Sequence, residues 1–333
     1  MADFDILGID CGGTKVLAQS ASFNSESDLV SPGEFHLEKY YSDHPNWNSN
    51  FFPVHLDLQR QEFAAGNICL TEPEMDQGDV IVETINSVIS EIGSDIDLHL
   101  HLSPVIGENK RGVNKNIGLC FPGIKNKNGV VIMANGPRIP NLLERIPEID
   151  SLYSDSDSCV LGEWKSSIGK MENAENAIYI GGGTGIADGV ILNGKLIDFN
   201  ERDEIKRSWE LIMENGKTVE SCLSPKGMID QWNLSHSDKI ERLDQLSQKE
   251  NANPIFEKAA VAFSFLIQDR IRFFNTNQAK VEKIVIGQRL GAFISSSDNI
   301  LKSFFESKTD IPIAISSDRR TAALGAAWKK ICS

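Results

Sequence analysis

The sequence predicts an α/β fold built in two halves. Three observations carry that prediction. Strand–glycine turn–strand hairpins occur near the N-terminus and again near residue 180, long helical periodicities separate them, and 333 residues exceed what one hydrophobic core ordinarily supports.

The elements follow in order. Phe4–Ile9 reads as a buried strand with Asp10 at its end, Cys11–Lys15 as a glycine turn, and Val16–Ala21 as the returning strand. Residues 30–79 are rich in Asn, Pro, Asp and aromatics, and short elements are expected there because a structureless loop of that length is unusual. Within them, Trp47, Phe51 and Phe52 suit a satellite core at least as well as a lid or a dimer contact. Ile81, Ile85, Val88 and Ile92 have helical spacing, so Val80–Ile92 is expected to be a helix. His99 and His101 alternate and would share one face of a surface strand. Asn116–Phe121 is a strand ending at Pro122-Gly123, and Gly129–Met133 is another. Cys159–Trp164 begins a helix, with Asp157 or Ser158 as its N-cap. Ala177–Ile180 runs into Gly181–Gly185, and Ala187–Leu192 forms its hairpin partner, closed by Asn193-Gly194. Pro254–Phe274 is a long amphipathic helix, Lys283–Ile286 and Ile311–Ile315 are strands, and Thr321–Ile331 is the last helix.

Composition removes several function classes. The formal net charge of −14 argues against a nucleic-acid partner, whose phosphates require clustered Lys and Arg. No apolar stretch approaches 18 residues, and the first ten residues lack the basic and apolar regions of a signal peptide, so a cytoplasmic protein with no membrane partner is expected. The six cysteines are far apart and form no CxxC pair, which suits buried thiols in a reducing compartment.

Chemistry concentrates at three glycine turns: Gly12-Gly13-Thr14, Gly181–Gly185, and Gly287 with Gly291. Bare backbone N–H groups can cradle phosphate, and the Thr14 and Thr184 hydroxyls add donors; ordinary hairpin turns would look the same. Neither a GxxxxGK[ST] loop nor a helix-opening GxGxxG is present. Asp10, beside the first turn, suits Mg²⁺ held through water. Asp155, at a strand-to-helix junction, suits either a general base for phosphoryl transfer or a helix-capping acid.

These residues resemble the ROK family (repressors, open reading frames, kinases) of the actin-like ATPase and sugar kinase superfamily. DILGIDCGGTKV (5–16) is similar to the family's first phosphate motif, IGLCFPGIKNKNGVV (117–131) to its PG segment, and SDSDSCVLGE (154–163) to its NDANAAALGE segment. GGGTGIADGVILNGKL (181–196) is similar to the second phosphate motif, IVIGQRLG (284–291) to IVLGGGL against the adenosine, and TAALGAAW (321–328) to the closing helix. The order holds along the whole chain. The resemblance implies a two-lobed fold with nucleotide in the cleft between the lobes, one lobe spanning 1–135 and taking back helix 321–333, the other spanning 136–320. It implies an ATP- and Mg²⁺-dependent phosphotransferase acting on a hexose hydroxyl, as a glucokinase does; an N-acetylhexosamine or cyclitol kinase, or a catalytically weakened sugar-binding regulator, are the alternatives. A homodimer is compatible with it.

Residue by residue, the resemblance implies Asp155 as the catalytic base. Gly12, Gly13, Thr14, Lys15, Gly183, Thr184, Gly185 and Gly287 fall on the nucleotide, and Asp10 on Mg²⁺. Asn135, with Asn141 as rival, falls on the sugar, as do Asp155, Glu210 and Glu220. The departures are equally specific. Family kinases carry ELGH and then CxCGxxGCxE, where this chain reads SWELIMENGKTVESCLS (208–224). The His becomes Met213, and Cys222 alone cannot build a tetrahedral site, so no structural zinc is expected. Ser154 and Asp157 replace two Asn, and Asp188 stands where glycine is usual in the second phosphate loop, a position from which its carboxylate would turn outward or toward metal. A family repressor would carry a helix-turn-helix before the first strand, and Met1 lies only three residues before it.

Overall fold

The computed structural model describes residues 6–95, 116–296 and 299–333, so His99 and His101 lie outside the described residues. The chain divides into two compact units, Met1–Gly162 with Ala322–Ser333, and Glu163–Thr321. The first unit therefore runs beyond the expected boundary at 135, because the segment that follows contributes a strand to the first sheet.

In the first unit the elements are β1 (Ile6–Cys11), β2 (Lys15–Asn24), β3 (Leu29–Tyr40), α1 (Leu56–Ala64), α2 (Glu72–Asp95), β4 (Ile117–Phe121), β5 (Ile124–Lys125), β6 (Val130–Ile132), α3 (Leu142–Arg145), β7 (Leu152–Ser154) and α4 (Asp155–Lys165). The main sheet has the order β3-β2-β1-β4-β7, with β1, β2 and β3 antiparallel and β1, β4 and β7 parallel. β3 is a 12-residue strand where only short elements were expected. Pro32 and Gly33 interrupt its pattern, yet it lies at the sheet edge beside a bulge between Gln19 and Ala21, where both are tolerated. Buried Gln19 holds that bulge by donating to the carbonyls of Ser20, Gly33 and Phe35. Ile81, Ile85, Val88 and Ile92 form the buried face of α2 as their spacing predicts. The helix starts with a reciprocal cap that the sequence reading did not pick out: the Glu74 N–H donates to Thr71 Oγ1, and the Thr71 N–H to Glu74 Oε2. Trp47 stacks on Tyr41 at 5.4 Å and joins this core, whereas Phe52 is exposed.

The second unit contains β8 (Ala177–Gly182), β9 (Ile186–Leu192), β10 (Lys195–Leu196), α5 (Val219–Leu223), α6 (Pro225–Ser235), α7 (Leu243–Ser247), α8 (Asn253–Thr276), β11 (Lys283–Gly287), α9 (Gln288–Ile294), α10 (Ile300–Glu306) and β12 (Ile313–Ile315). Its sheet order, β10-β9-β8-β11-β12, repeats the first: an antiparallel meander, then two parallel strands. Asn193-Gly194, both with positive φ, joins β9 to β10; the β8–β9 hairpin is closed by residues 183–185 instead. The apolar face of α8 fills the core of this unit.

The last helix, α11 (Thr321–Ile331), returns to the first unit. It lies so close to the sheet that a Cβ on Gly8 or Gly118 would sit 1.9 Å from the Ala323 carbonyl oxygen or 2.1 Å from that of Ala326. Glycine in β1 and β4 is therefore a packing requirement. Among the described residues, no helix is long and apolar enough to cross a membrane.

Candidate active site

In the first unit the parallel strands β1, β4 and β7 end together. Asp10 is in register with Cys120, Cys120 with Tyr153, and Phe121 with Ser154, after which Asp155 opens α4. Asp10 and Asp155 thus lie two strands apart, with β4 between them and Asp155 two residues beyond the register of Asp10. This is the carboxyl edge of a parallel array, where α/β folds place ligands.

The helix begins at Asp155, earlier than expected, and neither Asp157 nor Ser158 caps it. Ser154 Oγ accepts from the Asp157 N–H at 3.3 Å, the geometry of an N-cap residue and its third helical position. Capping is thus done by Ser154, which leaves the half-buried Asp155 carboxylate outside the cap. Its near partner is Ser156 Oγ at 3.5 Å.

Between the two acids lies a buried thiol that sequence reasoning did not single out. Cys120 Sγ approaches Asp10 Oδ1 at 3.5 Å. Burial pushes its thiol well up, and the charges of Asp10 and Asp155 push it further. Burial likewise raises Cys11 and Tyr41, again with a contribution from Asp10. This pocket of thiol and phenol stays neutral beneath the carboxylates.

The first turn splits by exposure. Gly12, Gly13 and Thr14 reach solvent, and the Gly12 N–H closes the turn on the Lys15 carbonyl at 3.0 Å. Lys15 is buried in β2 and ion-paired with Glu38, so its ammonium is committed to the sheet. The mouth of the turn then consists of backbone and the Thr14 hydroxyl.

In the second unit, Gly183, Thr184 and Gly185 are half-exposed, and the space above Gly183 is open to 4 Å. Glu220 underlies this loop: its Oε2 accepts from the Ile186 N–H at 2.8 Å, and a Cβ on Gly185 would lie 2.6 Å from the same oxygen. Glu210 is exposed, and its carboxylate accepts from the Arg207 N–H. Gly287 pairs with Gly181, and a Cβ on either would meet the buried Tyr179 ring, which gives Gly287 a packing reason beside any nucleotide contact.

Asp188 turns inward, neither outward nor toward a metal. It is 3% exposed, accepts from Arg270 Nη2 at 2.5 Å and from the Ser208 N–H at 3.1 Å, while Arg270 also donates to the Lys206 carbonyl at 2.6 Å. This ion pair anchors the segment leading to Glu210. Cys222 is buried in α5, and among the described residues no group of three or more His, Cys, Asp or Glu is placed to hold a metal ion.

Asn135 is exposed in the turn after β6. Its rival Asn141 is also exposed, and it borders a shallow cavity of about 310 Å³ with Leu70, Met75, Arg138 and Arg145. None of the residues expected at the nucleotide or at catalysis lines that cavity.

No protein-family model matches the sequence, and no curated protein matches it by sequence. Solved structures do match. A ROK-family glucokinase from Streptomyces griseus, in complex with glucose and AMPPNP, aligns with a TM-score of 0.59 at 13% identity, covering 97% of both chains. The fold is theirs. An inorganic polyphosphate/ATP-glucomannokinase from Arthrobacter sp. strain KM gives 0.58 at 14% identity over 99% of both chains. A ROK-family transcriptional regulator gives 0.56 at 13% identity, over 98% of this chain and 77% of its own. The actin-like α/β fold expected from the motifs is thus the fold of the chain.

Proposed function

We propose that this protein is an ATP-dependent sugar kinase of the ROK type, with Asp155 as general base. The observation that carries the reading is the placement of Asp155: a half-buried carboxylate at the carboxyl edge of β7, relieved of capping by Ser154, two strands from Asp10. The Asp155 carboxylate accepts the proton of a sugar hydroxyl as that oxygen bonds to the γ-phosphorus, the bond from γ-phosphorus to the β,γ-bridging oxygen breaks, and ADP leaves. Asp10 suits the Mg²⁺ that accompanies ATP, since a hard cation takes carboxylate oxygen and the adjoining Gly13 is exposed. When bound, Mg²⁺ neutralises charge on the phosphates. The exposed N–H groups of residues 12–14 and 183–185 and the hydroxyls of Thr14 and Thr184 suit phosphate oxygens. The sugar is read by Asn135 with help from Glu220, which also shapes the second turn. The glucose and AMPPNP in the Streptomyces griseus structure support a hexose and ATP as substrates.

A sugar-binding protein without catalysis is the second reading, favoured by the likeness to a regulator and by the withdrawal of Lys15 into an ion pair. ADP release measured against a panel of hexoses, N-acetylhexosamines and cyclitols separates the two. Sugar-dependent release is expected, and Asp155→Asn should lower kcat by about 10²–10⁴-fold while calorimetric ATP affinity is retained. A wild-type kcat in that variant would remove Asp155 as the base.

A further inference from the structure

The segment from residue 54 to 79 belongs to none of the motifs, yet it grips both ends of the turn that carries Asn135. At the entry, the fully buried Gln59 of α1 pairs its amide with the backbone of one residue. Its Oε1 accepts from the Met133 N–H at 2.8 Å, and its Nε2 donates to the Met133 carbonyl at 3.0 Å and to the Val54 carbonyl at 2.6 Å. At the exit, Arg138 is 1% exposed and donates to both oxygens of buried Glu74, Nε to Oε1 at 2.8 Å and Nη2 to Oε2 at 2.7 Å. Nη2 also donates to the Cys69 carbonyl at 3.0 Å, and Nη1 pairs with Glu62 of α1. Glu74 is at the same time the reciprocal cap of α2.

Four residues, Ala134–Pro137, are left between the two grips. Gly136 and Pro137 are buried, and Asn135 is exposed. A planar amide closing two hydrogen bonds on the N–H and carbonyl of one residue, and a guanidinium fork on one carboxylate, each fix orientation as well as distance. A span this short, fixed at both ends and stiffened by Pro137, has little freedom to move its one exposed amide. Stability alone does not account for the Arg138 cluster, because a buried ion pair is often no more stabilising than apolar groups of equal volume. What such a cluster does supply is a defined geometry.

We infer that α1 and the first turn of α2 form a positioning frame for sugar recognition, in which Gln59, Glu62, Glu74 and Arg138 act through the placement of Asn135. The inference rests on the proposed reading of Asn135 as a sugar contact. A hydroxyl-matched amide discriminates among polyols only while it is held in place.

The test is calorimetric titration, without nucleotide, of wild type, Asn135→Ala, Gln59→Met and Glu62→Gln with glucose, N-acetylmannosamine and myo-inositol. ATP affinity and Tm are measured alongside. Glu62→Gln keeps its shape and stands if the more disruptive Gln59→Met fails to fold. Asn135→Ala and at least one folded frame variant should each weaken binding of the preferred sugar by about tenfold, with ATP affinity changed less than about twofold. If Asn135→Ala changes nothing, or wild type binds none of the three, the sugar reading of Asn135 fails and the frame with it. If Asn135→Ala weakens binding and the folded frame variants do not, the frame alone is wrong. Parallel losses of sugar and ATP affinity would also overturn it, since they signal general damage.

Discussion

The strand ends of the first unit carry carboxylates, Asp10 near the end of β1 and Asp155 one residue past β7. At the matching places of the second unit stand Gly181, paired with Gly287 as Asp10 is with Cys120, and Ser316, one residue past β12. The strand order is the same in both. One ladder thus ends in acids, and the other in glycines packed against Tyr179 and in a buried serine, its half-exposed glycines lying further on in the turn at 183–185. The difference teaches that repeated topology settles where a site lies, while the residue at each strand end settles which part of the chemistry it can serve.

The second unit does keep one buried acid close to its turn, and the comparison breaks if Asp188 is chemical. Its bonds to Arg270 and Ser208 say that it is structural. Arg270→Met strands the Asp188 carboxylate in the core and should cost about 3–5 kcal/mol, read by denaturant unfolding. Asp188→Leu with Arg270→Met should recover much of that loss, because neither charge is then buried alone. Full stability in the single variant would show that Asp188 finds another partner, and would return it to the list of candidate phosphate- or metal-facing groups.

The legibility of this molecule followed the range of its interactions. Features written in neighbouring residues could be read: the buried face of α2, the strand–glycine–strand hairpins, the bounds of α11, the acids at strand ends. Features made by distant residues could not. Arg138 meets Glu62 and Glu74 from 76 and 64 positions away, and Arg270 meets Asp188 across 82. In the sequence nothing near either cation marks these distant partners. Asp188 looked chemically odd for the same reason, its partner being out of sight. β3 was obscured by Pro32 and Gly33, which weaken a central strand and are harmless at an edge. The cap of α4 fell to Ser154 because the strand stops one residue before the helix, an abruptness that no local pattern marks.

The second turn offers a sharper contrast with the first. Around residues 12–14 a Cβ on Gly12 would find open space, with the Lys15 carbonyl 3.9 Å away, whereas Gly185 sits against the Glu220 carboxylate. Gly185→Ala should displace Glu220 from the Ile186 N–H and raise the KM for ATP by roughly fivefold, about 1 kcal/mol, while Gly12→Ala should cost less. Shortening the obstacle with Glu220→Asp should restore part of the loss in the double variant. Additive effects in that cycle would mean that Glu220 does not shape the loop and acts on the sugar alone.

The turns that leave the fourth strand of each sheet give the smallest and most pointed test. Both carry a residue in the left-handed region, Gly123 at φ 88° after β4 and Gln288 at φ 58° after β11. Gly123 is doubly required, because a Cβ there would also lie 2.4 Å from the Ile132 carbonyl oxygen. Gln288 occupies the place where the resembling motif has glycine, so this backbone conformation is carried here by a residue with a side chain. Left-handed backbone costs a side-chain-bearing residue about 1–2 kcal/mol, against which glycine gives back about 0.5–1 kcal/mol through its freer unfolded chain. Gln288→Gly should therefore raise stability by about 0.5–1 kcal/mol, whereas Gly123→Ala should lower it by about 1 kcal/mol or more. Opposite signs in paired urea titrations would establish that each turn demands a left-handed residue and that only the first has glycine to supply it. A loss of stability in Gln288→Gly would show instead that a contact of the Gln288 side chain holds the turn.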